Sequence, residues 1–267
     1  ANENVYTTLR ALVRLRYTGS GFNYLPRHRV GSLLSGRRRS RLRGRGLDFD
    51  ELRNYRPGDD IRNMDWRVTT RTGRPHVRVY NEERDRPVFA VVGQRLPIFF
   101  GSALIVKSVI AAEVAALTAW RVLAVGDRIG ALLFNDDQCI EIKPTRSEKQ
   151  VVGWLGNLTA MNNALHVHAR QQANAEGLTE ALEKLEAGIG HDHLIVLISD
   201  FFGCTAATYN AIRRLRQHND VICAQVFDPL ERDISSAHKL VVSDGQYQLE
   251  LDPHAGDLGK KFEASVE

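Results

Sequence analysis

The stretch that organises this chain covers residues 44–88 and reads GRGLDFDELRNYRPGDDIRNMDWRVTTRTGRPHVRVYNEERDRPV. Charges of both signs alternate in it with single large apolar side chains, namely Leu47, Phe49, Leu52, Tyr55, Ile61, Met64 and Trp66. A surface loop does not need so many apolar anchors, and a core strand would not carry so many charges. We therefore interpret the stretch as a well-packed connector that is neither an amphipathic helix nor a simple strand.

Two local expectations follow for this connector. Pro57 and Gly58, ahead of Asp59 and Asp60, predict a turn, because Pro fixes φ and Gly tolerates a positive φ. We expect Tyr55 and Trp66 to be largely buried against the domain that follows, with Arg and Asp or Glu side chains paired around them. The alternative is an ordinary loop with a charged face.

The segment GLDFDELRNYRPGDDIRNMDWRVTTRTGRP resembles the signature of the domain-of-unknown-function 58 (DUF58) family. The match is long and ungapped, and the matching positions are Gly46, Phe49, Arg53, Tyr55, Pro57, Gly58, Asp59, Asp60, Arg62, Asp65, Trp66 and Arg71. The resemblance implies that a von Willebrand factor A-like domain follows the signature. It also implies frequent pairing with a MoxR-type AAA+ ATPase.

The length of 267 residues suits one large domain, or one domain with an appendage. The formal net charge is only +4, and the excess is local, because residues 36–46 hold six arginines and no acid. These are Arg37, Arg38, Arg39, Arg41, Arg43 and Arg45. The tract indicates a solvated basic arm, or else an anion contact with phosphate, an acidic partner or the surface of an anionic membrane. No aromatic residues interleave with the arginines, so nucleic-acid binding is disfavoured.

The cysteines and the apolar runs indicate a reducing, aqueous compartment. Cys139, Cys204 and Cys223 stand far apart without CxxC spacing, and Cys139 and Cys223 lie in apolar runs, so we expect buried reduced thiols. No signal peptide is visible, and the longest apolar segment is interrupted by Lys107 and Glu113. We expect a soluble cytoplasmic protein, while allowing that an anchor has been removed.

Strands and helices alternate after the signature. We expect strands at residues 87–92, 127–135, 138–144, 193–200 and 220–229, and helices at 5–17, 102–124, 145–158, 178–185 and 205–217. The strand at 193–200 is the most apolar and is expected to be central. Thr145 followed by Glu148 predicts a capping box, and residues 239–251 predict a hairpin around Asp244-Gly245.

This order predicts an α/β fold with a doubly wound, mostly parallel sheet covered by helices on both faces. Taken together with the family resemblance, this order predicts a von Willebrand A-like (Rossmann-like) domain with an N-terminal extension. The expected segments are a basic arm at 1–45, the signature packed on the sheet domain at 46–87, the sheet domain at 88–252 and a tail at 253–267.

Von Willebrand A-type domains build a metal-ion-dependent adhesion site at the carboxyl ends of their strands, where open α/β sheets bind ligands. Gly93 stands where the resemblance implies the first Asp, and Arg95 and Pro97 stand where it implies two serines. Glu176 falls at the expected Thr position, although a loop shift could bring in Thr179. Only Asp200 matches, so we expect a degenerate site without a bound metal, in which Arg95 could pair with Asp200 or Glu176.

No catalytic motif such as GxSxG, GxxxxGK[ST] or HExxH occurs, and no cofactor is implied. The pairs His166/His168 and His191/His193 are more typical of polar surface than of metal ligands. We expect a non-enzymatic adaptor that presents a protein client to a MoxR-type ATPase. The alternative is an anion- or nucleic-acid-binding protein that uses the arginine tract, whose affinity would fall steeply with salt.

Overall fold

A mixed set of strands and helices makes up the parts of the chain that the structure, a computed structural model, describes: residues 3–18, 47–82, 87–166, 174–232, 240–243 and 248–251. Its strands are β1 (Leu47–Asn54), β2 (His76–Glu82), β3 (Val88–Gly93), β4 (Ile129–Phe134), β5 (Cys139–Thr145), β6 (Leu194–Ser199), β7 (Asp220–Gln225), β8 (Leu240–Ser243) and β9 (Gln248–Leu251). Its helices are α1 (Leu9–Arg14), α2 (Trp66–Thr72), α3 (Lys107–Ala124), α4 (Glu148–Ala164), α5 (Gly177–Gly188), α6 (Ala206–His218) and α7 (Pro229–Arg232). By its internal contacts the chain divides into two units. Residues 1–25 and 86–267 form one, which we call the sheet unit, and residues 26–85 form the other, which we call the hairpin unit.

The main sheet has the strand order β5-β4-β3-β6-β7. All neighbouring pairs are parallel except β4 with β5, so the expected mostly parallel sheet is confirmed. The middle strand is β3, and β6 lies beside it, which corrects the central position expected for the most apolar run. Both strands are buried along their whole length, so hydropathy alone could not rank them.

Alternate side chains of the central strands enter two separate cores. Val88 and Ala90 of β3 belong to one core with residues of α1, α3 and α4. Phe89 and Val91 belong to the other, with residues of α5 and α6. The period of two along a strand sends neighbouring side chains to opposite faces, so a strand covered on both sides reads as a continuous apolar run. The helices therefore cover both faces of the sheet, as expected.

Two helix boundaries differ from those expected. Helix α3 begins at Lys107 rather than at residue 102, because Val106 is the extended N-cap residue. Helix α4 begins at Glu148 and is capped by Ser147, whose side chain accepts from the backbone N–H of Gln150. The capping box expected from Thr145 and Glu148 is wrong, since β5 continues to Thr145, which pairs with Ile129 of β4.

The start of the chain packs on the sheet unit. Helix α1 buries Leu12 completely, and Trp120 of α3 donates its indole N–H to the Leu12 carbonyl at 3.0 Å. The backbone N–H of Thr7 donates to the Asn162 side chain at 2.8 Å. These hydrogen bonds attach the N-terminal segment to α3 and α4.

The signature stretch is built on an antiparallel hairpin, which corrects our interpretation of it as neither helix nor strand. Strand β1 pairs with β2 from Leu47 opposite Glu82 to Asn54 opposite His76. Helix α2 lies in the connection between them. The alternation of charged and apolar residues at 47–54 is the period of two of a strand, which many charges in the segment obscured.

Three remaining expectations concern other parts of the chain. The hairpin at 239–251 is confirmed by the pairing of β8 with β9. Cys139, Cys204 and Cys223 are free thiols, but Cys223 is exposed, because β7 is an edge strand of the sheet. No helix in the described ranges is both long enough and apolar enough to span a bilayer. The tail at 253–267 lies outside the described residues.

Candidate functional site

The candidate site lies at the carboxyl ends of β3 and β6, where the chain order changes direction across the sheet. From β3 the chain passes to β4 on one side, and it later returns to β6 on the other. In open α/β sheets this switch point is where ligands bind. Arg95 follows β3 and Asp200 follows β6, and the structure brings these two side chains together.

Arg95 occupies the centre of this site as a buried cation. Its side chain is only 2% exposed, and its Nη2 lies 3.6 Å from Oδ1 of Asp200. Nη1 donates to the Asn174 carbonyl at 2.9 Å, and Nη2 donates to the Phe202 carbonyl at 2.8 Å. The guanidinium also stands 6.0 Å from the ring centroid of Phe134. One side chain therefore ties together the loops that follow β3 and β6 and the loop that precedes α5.

Asp200 is the carboxylate partner in this arrangement. Its Oδ1 accepts from the Phe202 backbone N–H at 3.2 Å and from the Ser199 hydroxyl at 3.3 Å. Its Oδ2 is buried and has no hydrogen-bond partner among the residues that the structure describes. The guanidinium supplies the positive charge beside this buried carboxylate, and Arg remains charged in proteins.

Asp136, directly after β4, is a member of this site that we did not anticipate from the sequence. Its Oδ2 accepts from the Leu96 backbone N–H at 2.7 Å, and its Oδ1 accepts from the Asn174 backbone N–H at 2.9 Å. Asp136 thus joins the loop after β3 to the loop before α5, two of the three loops that Arg95 ties together. Its position after a buried strand, at the carboxyl edge, was the signal that could have found it.

Gln94 is a second such residue. It is fully buried, donates to the Ser108 carbonyl at 3.0 Å and accepts from the Asn162 amide at 3.1 Å. A buried amide with both ends satisfied holds the chain rigidly where it leaves β3.

The other positions expected for a degenerate metal site do not converge on Arg95 as ligands. Gly93 leaves little room for a side chain, because an added Cβ would lie 3.0 Å from Cζ of Phe134 and the ring would have to move. Pro97 lies in a 3-10 segment, and Glu176 is exposed at the start of α5. Thr179 is buried, with its hydroxyl 2.7 Å from that of Thr208 in α6. Within the described ranges, no three His, Cys, Asp or Glu residues gather as a metal site would require.

Exposed apolar side chains stand on loops at the same carboxyl edge of the sheet. They come from the loops after β3, β6 and β7, and we call them the carboxyl-edge surface: Phe100, Leu104, Ile105, Phe202 and Phe227. Leu104 is 82% exposed, Phe202 59% and Phe227 51%. Side chains of this size are normally buried, so a cluster of them at one edge indicates an interaction site.

The backbone holds Phe202 outward by unusual geometry. Phe201 has φ 57° and Gly203 has φ 78°, so left-handed residues flank Phe202 on both sides. A Cβ on Gly203 would lie 2.8 Å from the Ala175 carbonyl oxygen. Left-handed conformations at residues other than Gly are uncommon and tend to be kept at functional sites.

Buried ionic groups brace the loop after β3. Lys107 is 2% exposed and pairs with Glu231 of α7. Asp228 accepts from the backbone N–H and the hydroxyl of Ser102. Burial raises the pKa of the Asp228 carboxyl, but the hydrogen bonds from Ser102 lower it further, so its pKa lies below its ordinary value. The loops that carry Phe100 and Phe227 are therefore tied to each other.

Three of the six charged signature residues, Arg53, Asp59 and Asp65, form ion pairs within the hairpin unit. Arg53 makes a bidentate pair with Asp59, with both Nη–Oδ distances 2.8 Å. This hydrogen bonding lowers the pKa of Asp59 to about 2. Asp65 caps α2 and accepts from Arg78 Nε at 2.8 Å, and Asp60 caps the 3-10 segment Ile61–Asn63.

Trp66 and Tyr55 differ from the burial expected of them. Trp66 is 63% exposed at the first position of α2, which corrects the expectation that it is largely buried. Tyr55 is half-buried. The turn expected at Pro57-Gly58 is present, with Gly58 at φ 105°. Arg62 and Arg71 are exposed.

The remaining candidates are polar surface or lie beyond the described residues. His191 is exposed and its Nδ1 lies 2.8 Å from Asp192, while His193 is half-buried and burial lowers its pKa. His166 is exposed. His168, Gly46 and the six arginines of the tract at 37–45 lie outside the described residues.

Comparison with known proteins identifies a family of unknown function and relatives that are uncharacterized. The family model described as "Protein of unknown function DUF58" matches residues 51–266. Uncharacterized proteins of Mycobacterium tuberculosis (strain H37Rv) and Mycobacterium bovis are each 28% identical over 221 residues. Those alignments cover 82% of this chain and 67% of each relative.

Proposed function

Because the chain belongs to the DUF58 family, whose function is unknown, we propose that it is a non-enzymatic protein-interaction module that works with a MoxR-type AAA+ ATPase. Its role would be to present a protein client during complex assembly or maturation in the cytoplasm. The mostly parallel sheet with helices on both faces supports the finer assignment of the sheet unit as von Willebrand A-like.

One observation carries this proposal: the switch point holds a buried guanidinium in place of open polar ligands, and exposed apolar side chains stand on the loops at the same carboxyl edge of the sheet. Arg95 is engaged by Asp200 and two backbone carbonyls, so little of it remains for a small ligand. The carboxyl-edge surface offers large side chains on loops that are tied together. Such a surface suits a protein partner, since buried aromatic anchors carry much of the energy of protein interfaces.

The partner would bind without a bridging metal. A Mg²⁺ ion needs near-octahedral oxygen coordination, whereas Arg95 brings a permanent positive charge to this position. Asp200 supplies the one carboxylate that pairs with it. Chelators should therefore leave the interaction intact.

Binding of the purified full chain to the MoxR-type ATPase of the same organism tests the proposal. We expect saturable binding in at least one of the ATP, ADP and nucleotide-free states. In the nucleotide-free state, where no Mg²⁺ is needed for ATP, EDTA should leave the binding unchanged. Phe202→Ala and Phe227→Ala should weaken it at least tenfold. Tyr17→Ala is the matched control, because Tyr17 is 83% exposed on the N-terminal 3-10 segment.

Absence of binding in every nucleotide state, with a folded protein, would overturn the proposal. Binding that Phe202→Ala and Phe227→Ala leave unchanged would place the interface elsewhere than at the carboxyl-edge surface. Binding that disappears with a chelator in the nucleotide-free state would contradict the metal-free mode.

A further inference from the structure

The hairpin unit of residues 26–85 carries a second surface that the proposed function does not use. Helix α2 turns one face toward the hairpin, because Thr69 accepts from the His76 backbone N–H at 3.0 Å and the Thr72 hydroxyl lies 3.2 Å from its ring. Residues three or four apart share a helix face, so Arg67 and Arg71 lie together on the opposite, outward side, while Trp66 stands at the first position of α2. All three are exposed.

The 3-10 segment Ile61–Asn63 lies just before α2 in the chain and carries further exposed side chains. Ile61 is 59% exposed and Arg62 is exposed. We call the set Ile61, Arg62, Trp66, Arg67 and Arg71 the Trp66 surface. None of its three guanidiniums forms an ion pair with a residue that the structure describes.

The signature residues therefore divide by role. Arg53, Asp59 and Asp65 hold the fold of the unit, because their charges are engaged within it. Trp66, Arg62 and Arg71 make no such contribution, and they project outward from that frame. An exposed indole in water is unfavourable, so a reason other than stability must explain why the frame presents it.

The charge around this indole is strongly positive. Residues 52–78 contain seven arginines and three aspartates, and Asp59 and Asp65 are already paired with Arg53 and Arg78. The unpaired charge is thus carried by arginines. Trp and Arg are also the residues most enriched at the energetic centres of protein interfaces. A complementary partner presents carboxylates around an apolar pocket that accepts the indole.

Two other classes of partner fit this surface less well. A membrane-binding helix needs a broad apolar face, whereas α2 has seven residues, and here Arg62 stands between the two apolar side chains. Single-stranded nucleic acid needs several stacking aromatics in a uniformly positive groove. Here one indole is flanked by Asp60, which is exposed.

We propose that the Trp66 surface is a docking site for an acidic protein surface with an apolar pocket, and that the MoxR-type ATPase provides it. The choice of this partner rests on the proposed function. The indole enters the pocket, and Arg62, Arg67 and Arg71 pair with carboxylates around it. This contact is additional to that of the carboxyl-edge surface.

The test measures binding of full-chain variants to the purified ATPase in the nucleotide state that binds the wild type. Trp66→Ala should weaken binding at least tenfold. Arg67→Gln/Arg71→Gln should weaken binding about three- to tenfold. The affinity of this double variant should also depend less on salt than that of the wild type between about 50 and 300 mM, a range over which salt progressively screens exposed charges. Tyr17→Ala and Arg213→Gln/Arg216→Gln are matched exposed controls and should bind as the wild type does.

The same variants are titrated with vesicles containing anionic phosphatidylglycerol and with single-stranded DNA. Tight binding of either by the wild type that Trp66→Ala abolishes would overturn the protein partner. ATPase binding that survives both Trp66 surface variants, but is lost in Phe202→Ala, would overturn this inference and leave the proposed function standing. A wild type that does not bind the ATPase would overturn both. Unchanged melting of each variant shows that a loss of binding is not a loss of fold.

Discussion

Arg95 shows how one side chain can organise a switch point. It is buried, its charge faces Asp200, and its donors reach carbonyls on two loops. A buried ion pair is weak evidence for stability by itself, because desolvation offsets most of the attraction, but removal of one partner leaves an uncompensated charge. The effect of each substitution therefore depends on whether the other partner remains.

We expect Arg95→Met to lower the free energy of unfolding by about 3–5 kcal/mol, because Asp200 would remain buried without its counter-charge. Asp200→Asn should cost less, since Arg95 keeps both carbonyl acceptors. The double variant should be more stable than the sum of the single losses implies, by about 0.5–3 kcal/mol. Urea denaturation of the four proteins measures this coupling. Strict additivity would show that the 3.6 Å contact contributes nothing.

Asp59 provides a pH-dependent contribution in the hairpin unit. Hydrogen bonds from Arg53 lower its pKa from 3.8 to about 2. A carboxyl whose pKa is lower in the folded state contributes stability that is complete above the unfolded value and is lost on acidification. The contribution should therefore be present above about pH 4 and disappear as the pH falls toward the folded pKa of about 2.

Asp59→Asn isolates this contribution, because the amide does not titrate in that range. We expect the wild type to unfold at a higher urea concentration than the variant above about pH 4, with the difference shrinking toward pH 2. Unfolding midpoints measured for both proteins in small pH steps would show it. A constant difference across the whole range would mean that Asp59 acts through shape and not through charge.

At the scale of the element, helices α2 and α4 place their tryptophans oppositely. Trp66 begins α2 and is 63% exposed, whereas Trp154 lies within α4 and is 2% exposed. Helix α4 packs an amphipathic face into the first core beside Leu155 and Leu158. Helix α2 is short and has no fully buried residue, so its stability comes from the Asp65 cap and the hairpin beneath it.

We expect Trp154→Ala to destabilise the protein by about 3–5 kcal/mol, because it removes a large buried aromatic and leaves a cavity. Trp66→Ala should change stability by no more than about 0.5 kcal/mol, as is usual for an exposed position. Thermal and urea unfolding of the two variants give the comparison. A large loss in Trp66→Ala would show that the indole has a packing role after all.

At the scale of the whole molecule, the carboxyl edge of the sheet carries a buried ion pair and, on its loops, exposed apolar side chains. Arg95 and Asp136 join the loops around β3, and Ser102 joins Asp228 across the loops after β3 and β7. These ties use side chains where a metal-dependent site would use an ion. The loops should accordingly be ordered without any added cation.

We expect millimolar Mg²⁺ or Mn²⁺ to leave the melting temperature unchanged. A native site with a micromolar Kd would add about 4 kcal/mol of stability at a thousandfold excess of the metal over Kd, which a melting curve would detect easily. Differential scanning calorimetry and isothermal titration with each metal are the measurements. One-site micromolar binding that disappears in Asp200→Ala would contradict the expectation.

The α/β architecture could be predicted from the sequence, because its signals are local. The runs at 88–93 and 194–199 are continuous in apolar residues, and a strand buried on both faces requires that pattern whatever surrounds it. The lack of a side-chain oxygen at Gly93 and Pro97 could also be read directly from the sequence. The family signature at 46–71 could be recognised as well, because it is one continuous run of residues.

Only the tertiary structure decided which side chains meet and which face water. Arg95 could have turned to Asp200 or to Glu176, and the choice of Asp200 follows from the loop geometry around β6. Asp136 joined the site because β4 is the parallel neighbour of β3, which no local pattern encodes. Trp66 is exposed at the first position of α2, whereas the Thr69 and Thr72 side chains of the same helix contact the hairpin. Burial depends on the neighbours that cover a residue, and those neighbours are distant in sequence.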